Sequence, residues 1–131
     1  HDVIVTEKGA WNKKAQLHFS TNNEQLSGVV KEGDTSKHFI SIMAEPLDTM
    51  FSYLDEVTLL KINYLEGVKE AIEGASDILQ RHEPKLAITV GFDCKNIRCI
   101  PILIKQINPN YKLYLRYNRG MISSLTLYGI V

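Results

Sequence analysis

Between residues 57 and 90 the hydrophobic period changes twice, and this constrains the fold more than any other feature of the chain. Residues 57–62 are apolar apart from Thr58 and Lys61. That pattern predicts a strand buried on both faces. Leu65, Val68, Ala71, Ile72, Ala75, Ile78 and Leu79 then recur at helical spacing, predicting a helix over 65–81. Pro84 marks its exit and 86–90 read as a second buried strand. A strand, a helix and a strand in this order form a parallel crossover unit.

The flanks extend the pattern. Residues 3–6 form a short β-branched run ending at the turn signal Lys8-Gly9, and 15–20 alternate apolar and polar. These two segments predict a hairpin or two neighbouring strands. Residues 21–37, rich in Ser, Thr, Asn, Asp and Gly, read as a loop that Leu26 and Val29-Val30 can pin to the core. Residues 39–43 read as a strand. Pro46 opens a short helix with Asp48 in its first turn. Residues 96–107 predict another helix, with a break or late start at Pro101. Residues 111–117 and 123–130 are two final strands joined around Asn118-Arg119-Gly120, predicting an antiparallel hairpin at the sheet edge. The fold class is therefore α/β: a mainly parallel sheet with helices on its faces and a C-terminal antiparallel hairpin.

Length and charge narrow the function. The 131 residues suit one domain. Fifteen basic and fifteen acidic residues cancel, so neither nucleic acid nor a membrane surface is expected as a partner. The longest apolar runs are too short to span a bilayer, and no signal peptide is visible. Cys94 and Cys99 read as reduced thiols of an intracellular, cytoplasmic protein. No histidines pair at helical spacing, so no metal site is expected. The first residue is His1 rather than methionine, which suggests a truncated start.

The order of elements resembles the second half of a Rossmann-like methyltransferase, and several short motifs are similar to the FkbM family. They are Leu47-Asp48, the run Lys61-Ile62-Asn63-Tyr64-Leu65-Glu66-Gly67, Gly74-Ala75, and Glu83-Pro84-Lys85-Leu86-Ala87-Ile88. Further on stand Ile97 with Ile100-Pro101, residues 111–116, and Thr126-Leu127-Tyr128. The resemblance covers residues 40–131 well and the first 40 weakly. It implies an S-adenosylmethionine-dependent O-methyltransferase acting on a hydroxyl of a small molecule or glycan. Departures accompany the matches. Asn63 stands where the family has an acid. Glu66-Gly67 sits one residue late, about 100° of helical rotation. Gly91-Phe92 replaces a Tyr-His pair, and Asn96 replaces an acid.

Ligands of an open α/β sheet sit beyond the carboxyl ends of its strands, which selects Lys61, Asn63 and Glu66 as catalytic candidates. Lys61 can lower an acceptor pKa or bind an acidic substrate; it is equally a snorkelling strand-edge lysine. Asn63 can orient a hydroxyl, or cap a helix. Glu66 can take the acceptor's proton, or simply face a helix dipole. Trp11 can stack on adenine as a cofactor-binding residue, or cover the core or an oligomer contact. The eight glycines form no Gly-x-Gly cluster, so residues 1–131 read as a single, incomplete domain lacking the Gly-rich cofactor-binding half. The competing expectation is a catalytically inactive binding or assembly module. A half-sheet with an unpaired edge favours a homo-oligomer.

Overall fold

The computed structural model describes residues 3–20, 39–64, 66–92, 94–118 and 124–131. Residues 21–37, read above as a loop, and Leu65 lie outside them. Eleven elements run in the order β1 (Gly9–Ala10), β2 (Ala15–Ser20), β3 (Phe39–Glu45), α1 (Leu47–Met50), β4 (Leu59–Ile62), α2 (Val68–Glu73), α3 (Ser76–Arg81), β5 (Lys85–Thr89), α4 (Cys94–Ile107), β6 (Lys112–Asn118) and β7 (Ser124–Ile130). The class is mixed α/β, as the alternation of periods predicts.

The strands form two sheets, and here the expected mainly parallel sheet is corrected. One has the order β1-β3-β2 and the other β4-β5-β7-β6. Among the described residues only β1–β3 and β4–β5 pair in parallel; β2–β3, β5–β7 and β6–β7 are antiparallel. The final hairpin is present, but β7 lies inside the sheet between β5 and β6. The crossover through α4 sets β6 one strand away from β5, and β7 fills the space. Gly129 permits this close packing. A Cβ there would lie 2.9 Å from Leu86 Cδ1 and 3.1 Å from Leu113 Cδ2.

Residues 3–6 are not a strand. Val3, Ile4 and Val5 are 73–85% exposed: their β-branched chemistry suits extended backbone, but no neighbouring strand accepts them among the described residues. Gly9, expected in a turn, instead pairs with Ala44 in β1–β3. Strand β4 is not buried on both faces either. Ile62 is buried, whereas Leu59 and Lys61 are exposed, because among the described residues the helices pack on the face that carries Ile62.

That covered face is the core. Ile62, Leu86, Ile88, Val90 and Leu127 from the strands meet Val68, Ala71, Ile72, Ile78 and Leu79 from α2 and α3, and Ile100 and Ile104 from α4. Burying each such aliphatic side chain contributes about 1.5–3 kcal/mol. This explains why α4 continues through Pro101. An interior proline costs roughly 3 kcal/mol, less than would be lost by withdrawing Ile100 and Ile104, both 0% exposed.

The predicted helix over 65–81 is two helices broken at Gly74-Ala75. The break belongs to tertiary packing. Gly74 lies against the Trp11 backbone, so that a Cβ would be 2.0 Å from the Trp11 carbonyl oxygen. The Asp48 N–H donates to the Gly74 carbonyl oxygen at 2.9 Å. The Asp48 carboxylate in turn accepts from the N–H groups of Asp77 and Ile78, each at 3.0 Å. Asp48 therefore sits in the first turn of α1 and also caps the first turn of α3.

Candidate functional site at the strand ends

The carboxyl ends of β4, β5 and β6 lie at one rim of the four-stranded sheet, since β6 and β5 both run antiparallel to the intervening β7. Asn63 follows β4 directly, and its Oδ1 accepts a hydrogen bond from Thr89 Oγ1 at 3.0 Å. Thr89 faces Thr126 on β7, and Thr126 faces Arg116 on β6. Directly opposed residues share a face, so a row of polar side chains crosses the sheet at this rim.

Beyond Asn63 the chain turns into α2 through Tyr64, Glu66 and Gly67. Loss of water around the Tyr64 phenol, reinforced by the Glu70 carboxylate, pushes it up to about 12. Gly67 is the N-cap of α2 with φ +80°, a left-handed conformation that glycine adopts without steric cost. The Trp11 ring packs there: a Cβ on Gly67 would lie 2.6 Å from Trp11 Cζ3. Trp11 is thus held by two glycines one helix apart, its ring against Gly67 and its backbone against Gly74. Its N–H also donates to the Glu45 carbonyl oxygen at 3.1 Å.

The turn after β5 carries Gly91 with φ +61°. This left-handed position favours glycine, which adopts it without steric cost. Phe92 follows, with its ring centroid 6.2 Å from that of Tyr117 at the end of β6. Phe92 is 61% and Tyr117 53% exposed, so the two rings form an apolar ledge at the rim.

The four residues selected from sequence do not converge on one point. Lys61 is exposed on β4, and Asn63, directly after that strand, is bonded to Thr89 of β5. Glu66 lies exposed in the turn, and Trp11 covers the neighbouring Gly67. No hydrogen bond or ion pair joins Lys61, Asn63 and Glu66 among the described residues. Sequence reasoning missed Thr89, Tyr64 and the Phe92–Tyr117 pair. The first had a signal, being a polar residue ending a buried strand; the ring pair depends on which strands become neighbours.

A concavity of about 110 Å³ is lined by residues that include Asp48, Phe51, Ser52, Leu54, Arg81 and His82. It lies at the opposite end of the sheet, where the Val57 N–H donates to His82 Nδ1 at 3.2 Å. Among the described residues no group of His, Cys, Asp and Glu could hold a metal ion, and no helix is long and apolar enough to cross a membrane. Cys94 and Cys99 are free and exposed on α4.

The chain is similar in fold to methyltransferase FkbM from Methylobacillus flagellatus KT. The two share 21% sequence identity with a TM-score of 0.71. The superposition covers 96% of this chain and 28% of the FkbM structure, so this chain spans little more than a quarter of its neighbour's length. At that identity the likeness is one of fold. No protein-family model matches the chain, and no curated protein matches it.

Four of the five glycines among the described residues are packed too closely to cradle S-adenosylmethionine. Gly67 and Gly74 are filled by Trp11, Gly129 by Leu86 and Leu113, and Gly9 by Ile42 and Ala44.

Proposed function

We propose that the chain is the acceptor-side part of an FkbM-type, S-adenosylmethionine-dependent O-methyltransferase with a Rossmann-like arrangement, acting on a hydroxyl of a sugar or related small metabolite. The observation that carries this reading is the fold shared with an FkbM methyltransferase over 96% of the chain. The rim supports it. Exposed aromatic rings such as Phe92 and Tyr117 suit the apolar face of a sugar. Asn63, already oriented by Thr89, has its amide N–H groups left to position a hydroxyl. Lys61 favours an acceptor with negative charge, and Glu66, exposed in the turn after β4, is the carboxylate we assign to take the hydroxyl proton. Donor binding falls to elements other than those described, and the whole acts as a cytoplasmic enzyme.

A second reading, a catalytically inactive binding or assembly module, draws on one observation. The Asn63 oxygen is engaged by Thr89 where the family has an acid, which fits a residue serving the sheet rather than a proton transfer.

Titration calorimetry with S-adenosylmethionine, on the 131-residue chain and on the chain joined to a donor-binding half, separates the two. Micromolar binding, followed by methyl transfer to a sugar acceptor that Glu66→Ala abolishes, supports the enzyme. A chain that binds no donor at millimolar concentration, and transfers no methyl group when joined to a donor-binding half, sinks it.

A further inference from the structure

Two candidate residues follow β4, and they are held from different directions. Asn63 is bonded to Thr89 of β5. Glu66 immediately precedes Gly67, and what lies over Gly67 comes from the other sheet. Gly67 is the N-cap of α2 and, having no side chain, offers none to the orphan N–H groups of the first helical turn. Its φ of +80° is one of many conformations open to a glycine, so the entry into the helix is not fixed by its own chemistry. The Trp11 ring closes the space above it. The Cβ that any other residue would add lies 2.6 Å from Trp11 Cζ3, 3.5 Å from Cε3 and 3.6 Å from Cη2. Trp11 follows β1 directly, and its N–H is bonded to the Glu45 carbonyl oxygen at the end of β3. The same residue reaches the far end of α2, where its carbonyl oxygen lies against Gly74, the C-cap. Asn12 adds a third hold, its Nδ2 donating to Glu73 Oε2 at 2.7 Å, and Lys69 Nζ meets the other oxygen of that carboxylate at 3.4 Å.

With six residues, α2 is too short to persist as a helix without tertiary support. Gripped at one end by the backbone of Trp11 and at the other by its ring, it can neither turn about its axis nor slide along it. A turn by one residue, about 100°, would re-aim the residue that enters the helix. We propose that Trp11 is a positioning residue: its ring on Gly67 sets the entry into α2, and through it the place of Glu66. The role of Glu66 toward an acceptor rests on the methyltransferase reading, whereas the hold of Trp11 on the helix entry stands apart from it. A ring that only filled the core would support every element about equally. A positioning ring supports the entry to α2 before the rest.

The test is amide hydrogen exchange of the 131-residue chain, read residue by residue by NMR. The Ala71 N–H, which donates to the Gly67 carbonyl oxygen at 2.9 Å, reports the helix entry. The Val90 N–H, bonded to the Leu125 carbonyl oxygen, and the Asn108 N–H, bonded to that of Ile104, report the core. Trp11→Ala should speed exchange at Ala71 about tenfold beyond any change at Val90 and Asn108, because losing the aromatic contact opens the entry locally. Trp11→Phe keeps a smaller ring and should give an excess of about threefold, which decides the matter where alanine unfolds the chain. Equal acceleration at all three amides, or none at Ala71, overturns the proposal. In the chain joined to a donor-binding half, Trp11→Ala should lower kcat about 10- to 100-fold with the KM for S-adenosylmethionine unchanged. A raised donor KM at unchanged kcat also overturns the proposal, because the ring would then be a donor contact. A parent chain that transfers no methyl group sinks the methyltransferase reading instead, and the exchange result alone then decides the hold of Trp11.

Discussion

Replacing Gly74 with alanine tests how the two sheets are tied together. Gly74 has φ −75° and ψ −1°, an ordinary right-handed conformation. With nothing nearby, Gly74→Ala would stabilise the chain by about 0.4–1 kcal/mol through the unfolded state. The neighbours reverse the sign. The new methyl would lie 2.0 Å from the Trp11 carbonyl oxygen, 2.9 Å from its carbon and 3.2 Å from Pro46 Cα. All three are backbone atoms, which cannot rotate aside as a side chain would. Reaching ordinary contact requires the segment around Trp11 to retreat by about 1.4 Å, and strain of this kind costs about 1–3 kcal/mol. The retreat also disturbs the bond from the Asp48 N–H to the Gly74 carbonyl oxygen, worth about 1 kcal/mol. A net loss of about 2–4 kcal/mol is expected, which lowers the urea midpoint by about 1–3 M. The assay is urea unfolding followed by circular dichroism and by emission of the sole tryptophan, Trp11. Emission should shift to the red in the native variant as the ring leaves Gly67. An alanine variant as stable as the parent, with unchanged emission, would refute the packing of Trp11 on this helix pair.

Three further outcomes follow from the same structure. Asp48→Ala removes the carboxylate that accepts from Asp77 and Ile78, and should cost about 1–2 kcal/mol in thermal or urea unfolding; an unchanged midpoint would contradict its capping of α3. Tyr111 is fully buried, with its hydroxyl donating to the Pro84 carbonyl oxygen at 2.8 Å. Burial, then the Glu83 carboxylate, pushes its phenol from 10.0 up to about 12. Below pH 10 the phenol is neutral in both folded and unfolded chains, so stability is fully present. Between pH 10 and 12 the unfolded chain ionises first, and stability falls with rising pH. Tyr111→Phe should flatten that fall, at a cost of about 1 kcal/mol at neutral pH; a Phe variant with the parent's alkaline profile would contradict it. Asn63→Asp keeps an acceptor for the Thr89 hydroxyl, and should leave the unfolding midpoint within about 0.5 kcal/mol of the parent, whereas a marked loss would show that the amide N–H groups hold a structural partner.

Sequence reading succeeded where the determinants are local. The βαβ order, the proline-opened α1, β5 and the last two strands are written in hydrophobic period and turn chemistry, which a single segment carries by itself. The position of Asn63 and Glu66 just after β4 was legible to the same extent, because they follow a strand that periodicity locates. The hydroxyl partner of Asn63 was not legible, because Thr89 is 26 residues away and only the parallel register of β4 and β5 brings it alongside.

What the sequence determined by itself is the class of each segment and the apolar stripe each would bury. The tertiary structure alone decided where a long helical pattern breaks, since Gly74 yields to the Trp11 backbone and Asp48 caps the second half. It decided that Pro101 stays within α4, because the buried isoleucines outweigh its cost. It also decided that β4 is half-exposed. These are long-range matters: strand register and layer order place residues together that periodicity treats separately.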